Sequence, residues 1–283
     1  MFQSLSVGLR RRWLRGLSAA LGMLGAVWLL TEILTRVSRD ANRWLDAHGT
    51  LYLSITAVLA LLALIVSSYE SRSASFVLPN TGTTLTLRFA DILREEADWI
   101  VGVNEFFDST LGDVVSAGSL HGKIISSVYG GNEAAFRSDV DDALATAVGE
   151  EVERPRGQRV RYPLGTVAVI RRDPWRIYLV AITRTDVATD RAGSTVPILW
   201  DALGEAIHVV DKVGNGAPLA LPLIGNGRTS LNIPPQHLLR LITLKLSQES
   251  RRYDLPRRIT IDLADECFEH LDLVEIKKGW SVV

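Results

Sequence analysis

The chain has 283 residues, a formal net charge of −1 and a single cysteine, Cys267. Charge this close to zero gives no reason to expect nucleic acid as a partner, and one cysteine excludes a disulfide framework and suits a reducing compartment. The five histidines (His48, His121, His208, His237, His270) show no metal-ligand spacing with one another or with Cys267, so no metal site is expected.

At the start of the chain, Arg10, Arg11, Arg12 and Arg15 precede an uncharged apolar stretch from Gly16 to Thr31. The charge order is that of a signal peptide, but no convincing small-residue cleavage site follows, and a second apolar stretch begins soon after. That second stretch, Gly49 to Tyr69, holds no charged residue over 21 positions. It is long enough to cross a hydrocarbon core of about 30 Å. Ten of its residues are Leu, Ile or Val, each favouring the bilayer centre by roughly 0.3–0.6 kcal/mol. The first stretch is weaker, since Glu32 ends it after 16 residues, and within it Ser18, Gly22 and Ala26 form a small-residue stripe at helical spacing. The connecting segment, Glu32 to His48, carries Arg36, Arg39 and Arg43 balanced by acids. Counting basic residues near the span ends predicts a two-helix hairpin over residues 16–69, preceded by a basic cytoplasmic segment 1–15, with both termini in the cytoplasm.

Residues 70–79 are short, polar and serine-rich and are expected to be a linker. From there the composition is that of an α/β domain, taken as residues 80–283. Thr83 to Phe89 alternates as a half-exposed strand, and Trp99 to Val103 is apolar enough for a buried one. Asn132 to Val148 has helical spacing behind an Asn cap. Glu150 to Arg161 is charged and reads as a solvated loop. Val167 to Ile170 and Ile177 to Ile182 are strands around the turn signal Asp173-Pro174. Ser194 to Val213 and Pro234 to Gln248 are helices, and Ile259 to Leu263 and Leu273 to Ile276 are late strands. Strands alternating with helices predict a three-layer α/β/α sandwich on a mixed, largely parallel sheet.

Within this domain Ala217 to Leu231 is an apolar run that stops at Gly225-Asn226-Gly227 and continues with Arg228, Thr229 and Ser230. Two readings are open. Asn226-Gly227 fits a hairpin turn between strands. It also fits a loop whose main-chain N–H groups converge on an anion such as a diphosphate, with Arg228 adding charge and Thr229 and Ser230 hydroxyl donors. The helix start at Pro234-Pro235 favours the second, because strand, loop and helix in that order present anion-binding loops in open sheets.

Three segments taken in order resemble the macro domain, the module that binds ADP-ribose. Ala90-Asp91-Ile92 resembles that family's Gly-Asp-Ile turn. The strand leading to Asn104-Glu105-Phe106-Phe107, followed by Ala117-Gly118-Ser119-Leu120-His121-Gly122, is similar to its Asn-bearing strand and first glycine-rich loop. Leu221-Pro222 with Gly225-Asn226-Gly227 resembles its diphosphate-binding loop. Ala90 stands where the family has glycine, Asn104 aligns with the paired asparagines of hydrolytic members only after a one-position shift, and the first loop keeps only Gly118 and Gly122. These departures count against hydrolysis more than against binding.

With two spans ahead of it, the whole chain resembles the transmembrane–macro effectors of Thoeris antiphage defence. That resemblance implies a signal rather than a cofactor: an ADP-ribose derivative, plausibly histidine-ADP-ribose, made from NAD by a TIR-domain enzyme. It further implies a homo-oligomer acting on the lipid bilayer of the cell membrane to kill or arrest the infected cell. On the same basis Asp91 accepts the adenine amino group or else merely caps a turn, and Asn104 touches the distal ribose or caps its strand. Phe106 and Phe107 stack on a base or ribose, or fill the core. His121 recognises what the distal ribose carries, or is simply solvated. Trp200 and Trp280 are assigned to packing. A membrane-anchored ADP-ribosyl hydrolase and a passive anchor or scaffold are the rival readings.

Overall fold

A computed structural model describes residues 2–189, 191–227 and 231–280. The chain divides into two units, Met1–Arg72 and Ser73–Val283.

The first unit is an antiparallel pair of helices, α1 (Phe2–Val37) and α2 (Arg39–Ser68). Both are long and apolar enough to be candidate membrane spans. The basic segment and the expected connection Glu32–His48 are helical too. Only Ser38 interrupts the helix, in an extended conformation, its hydroxyl accepting from Ala41 N–H at 3.3 Å to cap α2. Arg12 and His48 mark kinks inside the two helices.

The small residues that let the two backbones meet are not the expected ones. Ser18, Gly22 and Ala26 are exposed, whereas a Cβ on Gly8 would lie 1.7 Å from the Ser68 carbonyl oxygen, and one on Gly16 2.3 Å from Ser68 Oγ. At the same end Glu70 takes Arg12 at 3.1 Å and Arg11 at 3.5 Å. Thr31 and Tyr52 share a hydrogen bond of 3.0 Å further along the pair.

The second unit is a sheet covered by helices on both faces. Its strands are β1 (Ser73–Val77), β2 (Thr84–Phe89), β3 (Asp98–Asn104), β6 (Val167–Arg172), β7 (Trp175–Asp186), β8 (Arg191–Gly193), β9 (Leu219–Pro222) and β10 (Arg258–Leu263). The order is β1-β2-β10-β9-β3-β7-β6, with β8 paired to β7. The five strands β2, β10, β9, β3 and β7 run parallel, and the antiparallel pairs lie outside them. A further short pair, β4 (Glu150–Glu151) and β5 (Val160–Arg161), stands apart.

Alternation decides which side chain goes where. Tyr178, Val180 and Ile182 of β7 join Leu219, Leu221, Ile259 and Ile261 under helices α5 (Val196–Val213) and α6 (Pro235–Glu249). Ile177, Leu179 and Ala181 join Trp99, Val101 and Val103 on the other face, under α3 (Leu120–Lys123) and α4 (Glu133–Ala143). A strand buried on both faces reads as a continuous apolar run, which is why β3 and β7 are visible in the sequence.

Three expectations are corrected. The linker 70–79 contains β1, because Ala74 and Phe76 point inward between exposed serines. Leu273–Ile276 belongs to a helix, α7 (Leu273–Trp280), and Asp272, which accepts from Glu275 N–H at 2.9 Å, caps its start. The solvated loop 150–161 contains β4, β5 and the fully buried Arg154 guanidinium. The expected helix from Asn132 keeps its cap, Asn132 accepting from Ala135 N–H at 3.0 Å, but stops at Ala143.

Candidate functional site

The carboxyl ends of the parallel strands share one edge of the sheet, so the loops that follow β2, β10, β9, β3 and β7 gather there. That edge is where open α/β sheets place their ligands. A cavity of about 580 Å³ lined by Asp98, Asp211, Pro218 and Arg257 lies at the opposite edge, where β3, β9 and β10 begin.

The loop after β9 is built on a tight turn. Gly225 sits at φ +91°, a backbone conformation that side chains disfavour. Asn226 N–H donates to the Leu223 carbonyl at 3.2 Å, and Leu231 N–H to the Gly225 carbonyl at 3.1 Å. Among the described residues the N–H groups of Gly225 and Gly227 have no acceptor, and nothing lies within 4 Å of a Cβ built on Gly227. Neighbouring main-chain donors of this kind form an anion-binding concavity. The loop is therefore a turn that leaves donors over, and it leads into α6 rather than into a hairpin partner. Asn226 turns its side chain inward, its Nδ2 donating to Cys267 Sγ at 3.1 Å. The Cys267 thiol is pushed above its ordinary pKa by burial. Arg228, Thr229 and Ser230 lie outside the described residues.

After β2, Asp91 is exposed and caps the turn Ile92–Arg94, accepting from Leu93 N–H at 3.1 Å. The Ile92 side chain is buried in the core, so only its backbone faces the loop. Beneath this loop lies a pair that no sequence motif marks. Asp262, at the end of β10, accepts from Arg88 Nε at 3.0 Å, and Arg88 also pairs with Glu95. Asp262 is 4% exposed, and its Oδ2 has no hydrogen-bond partner among the described residues. Burial outweighs the guanidinium and raises the carboxyl to about 6. A charged residue on the otherwise polar face of R-I-T-I-D-L, at the edge where ligands bind, was the only signal of it.

After β3, Asn104 is committed to its own turn. Its Oδ1 accepts from Phe106 N–H and Asp108 N–H, each at 3.2 Å, and its Nδ2 donates to Asp108 at 2.8 Å. Asp108 and Arg154 form an ion pair at 3.0 Å with both side chains fully buried, and the Asp108 carboxylate also accepts from Gln158 N–H at 2.7 Å. The Arg154 guanidinium lies over the Phe106 ring at 4.3 Å, while Phe107 meets Tyr162 edge-on at 5.6 Å. Both phenylalanines are buried, so neither ring is open to a base or ribose; both are core residues.

In the next loop Gly118 is exposed. Ser119 donates to the Ser116 carbonyl at 2.6 Å and accepts from Gly122 N–H at 3.0 Å, capping α3, which half-buried Leu120 opens. A Cβ on Gly122 would fall 2.2 Å from the Ser116 carbonyl oxygen, so glycine is what lets this turn close. His121 is neither a solvated nor a ligand-facing residue. It is buried against Phe136, with ring centroids 5.3 Å apart, and desolvation lowers its pKa to about 4.

Beside the β3 loop, at the end of β7, is a cavity of about 1110 Å³ lined among others by Glu105, Arg161, Thr185 and Thr195. Glu105 is buried there, bonded to Thr185 N–H at 3.2 Å and paired with Arg161 at 3.4 Å.

Residues 85–263, more than half of the chain, match a family model described as Thoeris protein ThsA, Macro domain. The chain belongs to that family. No curated protein matches it in sequence. Solved macrodomains of Oceanobacillus iheyensis share the fold. A point mutant aligns at 15% identity over 75% of this chain and 100% of its own, with a TM-score of 0.53. A form with ADP aligns at 13% identity over 75% and 98%, with a TM-score of 0.50. A further mutant with ADPR aligns at 15% identity over 73% and 98%, with a TM-score of 0.50. The ThsA macro family fixes how the site is oriented: Asp91, Asn104, the 117–122 loop and the Gly225 turn follow β2, β3 and β9 at the ligand-binding edge.

Proposed function

We propose that this ThsA-family chain is a membrane-anchored sensor of an ADP-ribose derivative. In this reading α1 and α2 span the cell membrane with both termini and the macro domain in the cytoplasm. A TIR-domain enzyme supplies the ligand, plausibly histidine-ADP-ribose. Binding drives assembly of copies and disruption of the bilayer, ending in death or arrest of the infected cell. The observation that carries the sensing step is the Gly225 turn, whose two uncommitted main-chain donors stand at the end of a central parallel strand. They suit a diphosphate, while the exposed Asp91 carboxylate two strands away suits an adenine amino group.

The protein binds its ligand without turning it over. Asn104, the side chain best placed to position an attacking water, has its carbonyl oxygen and its amide nitrogen engaged in the turn to Asp108. This supports a receptor over an ADP-ribosyl hydrolase. Titrating the full chain in detergent with ADP-ribose, NAD and histidine-ADP-ribose, with each ligand recovered afterwards for analysis, tests both points. Saturable binding with intact ligand is the expected result, and released free ribose products or no binding to any of the three would refute it.

A further inference from the structure

The sheet ends in two very different edges. On one side is β6, which carries Arg171 and Arg172. On the other is β1, five residues of sequence Ser-Ala-Ser-Phe-Val with no charge, no proline and no bulge in its register against β2. Edge strands of soluble proteins are ordinarily blunted by those devices, because an open row of N–H and C=O groups is a template for another strand. Nothing among the described residues pairs with the outer edge of β1.

The register shows which groups that edge presents. Leu78 N–H donates to the Thr83 carbonyl at 2.9 Å, one step beyond the pair Val77–Thr84. In an antiparallel ladder bonded and non-bonded pairs alternate. Phe76 and Ala74 are therefore the residues bonded to β2, and Ser75 and Val77 turn their N–H and C=O groups outward. Val77 is also 57% exposed, an apolar side chain on an unpartnered edge.

We infer that β1 is an interface between copies of this chain, two β1 strands pairing antiparallel about a two-fold axis at Ser75 and joining two sheets into one. The strand suits its own copy. Being uncharged it meets no repulsion on self-pairing, whereas β6 would oppose arginine to arginine. Centred on Ser75, the pairing sets Val77 of each copy opposite Ser73 of the other. Five residues of backbone pairing are marginal alone. Four residues, Tyr69–Arg72, separate α2 from β1, so copies anchored in one bilayer supply the effective concentration that free copies lack. In this last respect the inference rests on the membrane-anchored reading above.

The test uses the full chain in liposomes under mild oxidation. A bonded antiparallel pair holds its Cα atoms about 5.5 Å apart, inside the ~4.4–6.8 Å that a disulfide spans. Ser75→Cys is expected to give a cross-linked dimer. Val148→Cys, at a site 85% exposed, reports random collision and is expected to give little. Ser75→Pro removes an outward N–H without touching the bonds to β2 and is expected to abolish the oligomer, with Val77→Pro as the second variant should the first misfold. Ser75→Ala, which leaves the backbone intact, should keep it. Cross-linking of Ser75→Cys no better than that of Val148→Cys overturns the proposal. So does an oligomer that survives both proline variants, or one lost on proline substitution without a Ser75→Cys homodimer, which would assign the edge to a different protein. Melting the same samples with ADP-ribose separates the two readings: cross-linking without a thermal shift leaves the interface standing and refutes the sensor.

Discussion

His121 shows how burial assigns a role that residue type does not. A histidine in a glycine-rich loop looks like a recognition group, yet it packs on Phe136 with its pKa lowered to about 4. A base whose folded pKa is depressed contributes stability above its unfolded value, near 6.5, and loses it as pH falls toward 4. Lowering the pH from 7 to 4 should therefore cost on the order of 3 kcal/mol through this residue. His121→Leu should flatten that limb in urea melts at several pH values. Asp262 acts in the opposite sense. Its carboxyl is raised to about 6, so its folded state holds a proton that the unfolded chain has released, and stability declines as pH rises from about 4 through 6. Gly225→Ala places a Cβ 2.9 Å from Leu231 Cδ1 at φ +91°, and should cost roughly 1–2 kcal/mol in denaturation. Its effect on ADP-ribose affinity by calorimetry should be larger still, because the turn that aims the donors is distorted. The glycine turn and Asp91 were legible because glycine and acid at a strand end are local signals. The inward turn of Asn104, Phe106, Phe107 and His121 was not, since it depends on Asp108, Arg154, Tyr162 and Phe136, which are distant in sequence or unremarkable in it.

Elements buried on both faces announced themselves: β3, β7 and α5 follow the apolar runs that predict them. Elements whose exposed positions are serine or charge did not, which is why β1 read as a linker and the 150–161 excursion as solvated. Short apolar runs fit either period, and α7 read as a strand for that reason. The excursion also makes an energetic claim. Asp108 and Arg154 are fully buried together, so removing one leaves the other as an uncompensated charge. Asp108→Ala should lower stability by roughly 3–5 kcal/mol. Asp113→Ala breaks the exposed pair with Arg156 and should cost less than about 1 kcal/mol. Thermal melts of the two variants beside wild type check both, and comparable losses would mean that Arg154 finds solvent or another partner.

At the scale of the molecule, sensing and membrane action are separable, and one substitution should divide them. A ligand moves an assembly equilibrium only by its difference in affinity between the two states. Binding to the folded macro unit should be visible without any membrane event, with ADP-ribose at 100 times its dissociation constant adding about 2.7 kcal/mol of stability. The membrane unit depends instead on close approach of α1 and α2. A Cβ on Gly8 would lie 1.7 Å from the Ser68 carbonyl oxygen, a backbone atom that cannot swing away as a side chain could. Gly8→Leu must therefore push the helices apart at the end where Glu70 meets Arg11 and Arg12. In liposomes loaded with a self-quenched dye, wild-type protein should release dye on addition of histidine-ADP-ribose. Gly8→Leu should release little while keeping the full thermal shift. Gly225→Ala should show the reverse dependence, its leakage recovering as ligand is raised. If Gly8→Leu leaked as wild type does, packing of the hairpin would have no part in the membrane event, and the helices would serve as an anchor alone.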